Sequence, residues 1–327
     1  MASVTDSYLR SQLIERRQRL QSAITRETQA PQLIRLLEEV DGALSRMDTG
    51  SFGLCETCHE PIEGERLVAD PTVRFCLDHL AEHEQRALEQ DFELAARIQR
   101  RLLPARESRF GIWETSYRFE PAGPVSGDWC DLVQPAGEDD LYVLLGDVSG
   151  KGVPAAILMA HLHAVFRTLI AEGDRPDRLV ERANRLFRES AMSPYFATLV
   201  CARASSTGDV EICNAGHPPP FLLTPQGAQT VQATGLPVGA FYSSDFSSTV
   251  VHLDPGDGLV LYTDGLTEAR DRDGQEYGVE RVEQLLARGR FESAASVVQD
   301  CLADLESFAD GAPRTDDLTL LVVRRRE

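Results

Sequence analysis

Residues 141–156 read LYVLLGDVSGKGVPAA, and the layout of most of the chain follows from how they alternate. The apolar run from Leu141 to Leu145 is short and bounded by turn residues, so it reads as a buried strand. Asp147 closes that strand, Gly150 and Gly152 permit a tight turn, and an apolar helical pattern follows over about residues 154–171. The segment GLVLYTDG at 258–265 repeats the arrangement, with Asp264 at the strand end. Asp128 lies in SGDWCD at 126–131, and Asp316 with Asp317 opens DDLTLLVV at 316–323. Four separate segments therefore bring a carboxylate to a strand end beside a small or turn residue. One Asp-Gly after a strand is ordinarily only a turn. Four in one chain call for a common cause.

Strand patterns elsewhere fall at 113–120, 129–134, 140–147, 196–203, 209–214, 247–253, 258–263 and 318–323. Helical periodicity occupies about 154–171, 177–190, 279–288 and 293–308. Strands joined by short turns, with helices in separate blocks, predict an α+β fold and not a parallel βαβ sheet. Upstream, residues 5–48 carry two apolar stripes, Leu9/Leu13/Leu20/Ile24 and Leu33/Leu36/Val40/Leu44/Met47, separated by Gln29-Ala30-Pro31. That pattern predicts a helical hairpin, stopped by Gly50 and Gly53. A third helix is expected over about 80–103, with Leu80, Leu88, Phe92, Ala95, Ile98 and Leu102 on one side and Pro104 at its end. An isolated helix of this kind is marginal in water, so a partner is expected for its stripe, and a second copy of the chain is the candidate. The expected domains are 1–80, a linker helix 81–104 and 105–327.

Three of the seven cysteines, Cys55, Cys58 and Cys76, lie close together, and the other four are scattered in apolar surroundings. Cys55-x₂-Cys58 and Cys76-x₂-His79, 17 residues apart, have the spacing of a structural zinc site with a closed tetrahedral shell. His59, beside Cys58, and His83 compete with His79 for the fourth position.

The chain has 327 residues and a net charge of −19, so a broad basic face for nucleic acid is not expected. No run of 18 apolar residues and no secretory signal pattern is present, which places the protein in the cytoplasm with no membrane partner. Lys151 is the only lysine and reads as solvent-facing rather than phosphate-binding; His161 and His163 read as ordinary helix residues.

Carboxylates crowded together repel one another unless protonated or neutralised by cations. An all-oxygen donor set suits hard ions such as Mg²⁺ and Mn²⁺. Two such ions about 3.5–4 Å apart clamp a phosphoryl group and generate hydroxide at neutral pH. A Cys-x₅-Arg loop, the signature of a covalent alternative, does not occur.

The ordered segments AARIQRRLLP, SGDWCDL, LLGDVSGKGVPAA, YFATLV, CNAGHPPP, LVLYTDGLTEAR and DDLTLLVV, within residues 95–323, resemble the SpoIIE/RsbU branch of the PPM metal-dependent protein phosphatases. The resemblance implies a β-sandwich of two antiparallel sheets flanked by helices, and removal of phosphate from phosphoserine or phosphothreonine in a regulatory protein, a STAS-type anti-sigma-factor antagonist. It further implies that Asp147 bridges two Mn²⁺ or Mg²⁺ ions, with the carbonyl of Val148 on one of them. Asp264 and Asp316 hold the second ion; Asp316 is preferred to Asp317. Asp128 orients water at the cluster or binds an ion. Asn214, Gly216 and His217 match the family's AGH segment, where His217 fixes a loop or acts as a general acid. The segment from Leu36 to His79 is similar to the DksA/TraR zinc-finger family, hairpin included, with His79 in place of the usual last cysteine. Some members insert an acidic hairpin tip into RNA polymerase. The tip here, Arg26 to Pro31, lacks paired aspartates, so polymerase binding is not implied. A rival reading, a zinc-finger docking protein carrying a degenerate phosphatase scaffold, predicts lost metal aspartates, and all four are present.

Overall fold

The computed structural model describes residues 4–26, 31–80, 82–190, 195–241, 245–289 and 291–326. The chain divides into two compact units, Met1–Asp91 and Phe92–Glu327.

In the first unit, α1 (Val4–Arg26) and α2 (Pro31–Thr49) form the expected hairpin. Leu13, Val40, Ala43 and Leu44 are buried between them, with Leu20 and Met47 packed alongside. Ion pairs Arg10–Asp48 at 2.6 Å and Arg17–Asp41 at 2.8 Å set the helices antiparallel. Between Arg26 and Pro31 the hairpin tip lies outside the described residues. A short helix, α3 (Gly64–Ala69), and a 3₁₀ turn at Leu77–His79 follow.

Helix α4 (Glu82–Leu102) crosses the division between the units. Its predicted stripe is split. Leu102 packs into the core of the second unit, whereas Ile98 is 56% exposed; Leu94, outside the predicted stripe, is 49% exposed. Gln99, a polar residue absent from the predicted stripe, is buried instead. Its amide donates to Ser126 O at 2.7 Å and accepts from Ser126 N at 3.1 Å.

The second unit runs β1 (Glu107–Phe110), β2 (Trp113–Glu120), β3 (Trp129–Val133), β4 (Leu141–Val148), α5 (Val153–Ile170), α6 (Pro176–Ser190), β5 (Ala197–Ala204) and β6 (Asp209–Ala215). It continues with β7 (Phe221–Thr224), β8 (Gly227–Thr230), β9 (Thr249–His252), β10 (Gly258–Tyr262), α7 (Asp264–Thr267), α8 (Val279–Arg288), α9 (Ala294–Ala309) and β11 (Leu318–Arg325). The strands make two antiparallel sheets, ordered β1-β2-β11-β10-β7-β8 and β3-β4-β5-β6-β9. Strands β1, β7 and β8 are four residues each, and β1 and β8 lack the apolar runs that mark the longer strands; pairing to their neighbours in the sheet defines them.

Side-chain alternation explains why the decisive segments read as continuous apolar runs. In β4, Leu141, Val143 and Leu145 point between the sheets, and Tyr142, Leu144 and Val148 point outward beneath α5 and α6. In β10, Leu259 and Leu261 point inward, and Val260 and Tyr262 meet α8 and α9. Both faces are covered, so no polar position survives mid-strand. Truncating one of these side chains, as in Leu145→Ala, is expected to cost about 2–5 kcal/mol. Helix α5 is long and apolar enough to cross a bilayer, but it buries Ala155, Met159, Leu162 and Phe166 against the sheet.

Candidate active site

The alternation that fills the core also builds the site. Asp147 continues the inward-pointing series Leu141, Val143, Leu145, and in the register of the sheet it lies opposite Thr198 of β5. Cys130 of β3 and Leu321 of β11 likewise point inward, so Asp128 and Thr319, two residues before each, do too. Thr263, two residues after inward-pointing Leu261, completes the set. All arrive at one end of the sandwich. There the apolar filling gives way to a cleft of about 590 Å³ lined by Asp147, Lys151, Thr198, Asp264, Asp316 and Asp317, among others.

Asp128 lies behind this cleft and is buried. Its Oδ2 accepts hydrogen bonds from Thr263 Oγ1 at 2.8 Å and Thr319 Oγ1 at 2.6 Å. Burial first, then the neighbouring Asp147, raises its carboxyl well above the ordinary range. Asp147 is pushed up to about 7 by burial and by the charges of Asp264, Asp316 and Asp317, against a hydrogen bond from Asp128. Asp264 is also raised, by burial and then by Glu268 and Asp316. Oxygen donors such as Asp128, Asp147 and Asp264, whose ionisation is held back by burial and then by neighbouring carboxylates, fit hard divalent cations, which would offset both.

Asp316 and Asp317 have different surroundings. Asp317 Oδ1 accepts from Ala122 N at 2.7 Å and its Oδ2 from Gly127 N at 3.2 Å, so both oxygens hold the loop that carries Asp128. Asp316 keeps Oδ2 toward Lys151 Nζ, 3.1 Å away. Gly265, at the start of α7, lets the main chain approach closely: a Cβ there would lie 1.8 Å from Asp317 O. Gly265→Ala should therefore displace this loop, at a cost of about 1–3 kcal/mol typical of overpacking. Thermal melting checks the expectation.

The His217 ring is buried, with Nδ1 2.8 Å from Thr198 Oγ1, and burial pushes it down to about 3. Asn214 clasps the His217 backbone, donating to its O at 3.1 Å and accepting from its N at 2.8 Å. These contacts brace the loop that forms this wall of the cleft. His161 and His163 lie on α5, where His163 Nε2 is 3.2 Å from Asp131. Thr263, Thr319 and Glu268 were not singled out from the sequence. The only signal for the two threonines is alternation with the core positions around them.

In the first unit, the sulfurs of Cys55, Cys58 and Cys76 and a ring nitrogen of His79 all lie within 4.8 Å of one another. Cys76 Sγ is 3.8 Å from Cys58 Sγ and 3.2 Å from His79 Nδ1. His59 does not join that group, and the side chain of His83 lies outside the described residues. Arg46 of α2 ties the segment to the hairpin, donating to Thr72 O at 3.0 Å.

Residues 137–326, more than half the chain, match the family described as Stage II sporulation protein E (SpoIIE). The chain belongs to the SpoIIE family. Its second unit holds the SpoIIE match, and its first carries a zinc-finger-like site: residues 50–85 match the prokaryotic dksA/traR C4-type zinc finger, here with His79 grouped beside three cysteines. Protein IcfG of Synechocystis is 29% identical over 264 residues, 72% of this chain and 41% of that protein. Phosphoserine phosphatase RsbU of Bacillus subtilis is 28% identical over 250 residues, 74% of this chain and 72% of that protein. The chain thus spans less than half the length of IcfG. In fold, the SpoIIE domain is similar to the SiaA-PP2C domain of Pseudomonas aeruginosa, with TM-score 0.64 and 20% identity over 74% of this chain and 98% of that one.

Proposed function

We propose that this member of the SpoIIE family is a cytoplasmic, metal-dependent protein serine/threonine phosphatase acting on a phosphorylated regulatory protein, with a STAS-type anti-sigma antagonist as the substrate class. The observation that carries the reading is the convergence of Asp147, Asp264 and Asp316, from three separate strand ends, on one cleft. Two Mn²⁺ or Mg²⁺ ions held there would supply an activated water and neutralise charge on the phosphoryl group.

The remaining work falls to the chain. Asp147, with its neighbour's carbonyl at Val148, and Asp264 and Asp316 would hold the ions. Asp128, fixed by two threonine hydroxyls, would orient water at the ions. Asp317 is spent on backbone amides, which supports Asp316 as the ligand of that pair. Cys55, Cys58, Cys76 and His79 would hold one structural Zn²⁺. The domains are then residues 1–80, a coupling helix 81–104 and 105–327.

The test is a phosphatase assay on phosphorylated regulators of the host with added Mn²⁺. Chelation should silence the enzyme and Mn²⁺ should restore it; turnover that persists in chelator sinks the metal-dependent reading.

Helix α4 is proposed to pair with its counterpart in a second chain, because Leu94 and Ile98 are left exposed on it. Replacing Leu88 and Ile98 together with Asp should give monomers with altered basal activity. Sedimentation and turnover both matching the wild type would leave the helix as a tether.

A further inference from the structure

Lys151, read from the sequence as solvent-facing, is engaged in the cleft. It sits on the turn between β4 and α5, between Gly150 and Gly152, whose φ angles of +95° and +75° let the chain reverse tightly there. Its Nζ lies 3.1 Å from Asp316 Oδ2 and donates to Thr315 O at 2.9 Å, so the only lysine of the chain bridges the end of β4 to the start of β11. Its charge also reaches Asp264. The cleft lining holds five carboxylates, Asp147, Asp264, Glu268, Asp316 and Asp317, and among the described residues lining it Lys151 is the one carrying a fixed positive charge.

We propose that Lys151 is a displaceable counter-ion of this site, bound to Asp316 while no divalent ion is present and turned to the phosphoryl group of the substrate once one is. The assignment rests on the metal-dependent reading above.

The physical case follows from the strength of the pair. The Lys151 and Asp316 side chains are 57% and 39% exposed. An ion pair this open to water is weak and screened by salt. A divalent ion has twice the charge and several carboxylates to draw on, so it takes the Asp316 oxygen from the ammonium. The freed Nζ, on a flexible four-carbon stem, then stands at the rim of a cleft whose other charged side chains are all acidic. A phosphoryl dianion entering that cleft meets it as a point-charge donor.

The two halves of the role predict opposite shifts, which a structural role would not produce. Full-length wild type, Lys151→Gln and Lys151→Arg are titrated calorimetrically with Mn²⁺ alone, with Asp147→Asn identifying the heat that belongs to the cleft. Inorganic phosphate binding is then measured at saturating Mn²⁺. Lys151→Gln should bind cleft Mn²⁺ about two- to fivefold more tightly, having no ion pair to break. The same variant should bind phosphate about tenfold more weakly, having lost a charge-assisted donor. Lys151→Arg should keep phosphate binding near the wild-type value. Shifts of the same sign in both titrations, or no shift in either, overturn the assignment. Wild type without Asp147-dependent Mn²⁺ binding overturns the metal reading, and this assignment with it.

Discussion

Asp147→Asn should abolish turnover while leaving the protein folded. Removing one preorganised electrostatic group from an active site costs about 10²–10³-fold in rate, and a ligand shared by both ions should cost at least the upper end of that range. Asp264→Asn should do the same. The metal-free protein offers an independent readout with a definite sign. Asp147 has its folded pKa raised to about 7, above the ordinary carboxylate value. The folded state therefore holds a proton that the unfolded chain has released. Stability from this group is complete below the ordinary carboxylate range and is lost as pH rises through about 7. Chelated wild type should accordingly melt at a lower temperature at pH 8 than at pH 6. Asp147→Asn should show a smaller drop, and Mn²⁺ should remove the drop from the wild type. An Asn variant that retains full turnover and full Mn²⁺ stoichiometry would refute the placement of the metal site.

Loss of the zinc site should be the largest local effect in the molecule. Apart from the ligand cysteines, the apolar cluster of residues 54–79 consists of Ile62, Leu67, Val73 and Phe75. So small a cluster does not offset the chain entropy of ordering the segment. Structural zinc contributes about 10–16 kcal/mol in small fingers. Cys58→Ser is therefore expected to melt residues 50–80 locally, seen as loss of amide-exchange protection there. The hairpin should survive on its own contacts among Leu13, Val40, Ala43 and Leu44. Elemental analysis should find one zinc per chain in the wild type. Purified protein without zinc, or a Cys55/Cys58 double serine variant with unchanged zinc content, would end this assignment.

The contrast between α4 and the strand-end aspartates marks where sequence reasoning holds. Periodicity located α4 within two residues at either end, because a helix is a local structure whose pattern repeats every turn. It did not place Gln99 in the core or leave Ile98 exposed, because those depend on Ser126 and the sandwich, elements remote in the chain. The short strands β1, β7 and β8 escaped for another reason: four residues are too few to show a period, and pairing defines them, β1 with β2 and β8 with β7 across tight hairpins and β7 also with the remote β10.

By itself the sequence determined the hairpin, the spacing of Cys55, Cys58, Cys76 and His79, the long strands, and which aspartates end them. Each is set by a local rule: helical period, ligand spacing, or an apolar run cut by a turn residue. Only the tertiary structure decided that Asp128 sits behind Asp147 under two threonine hydroxyls, that Asp317 is taken up by the Ala122 and Gly127 amides, and that Lys151 faces Asp316. These contacts join residues up to 195 positions apart. They exist because two antiparallel sheets with the same alternation bring their inward-facing polar residues to the same open end, a coincidence of registers that no local pattern encodes.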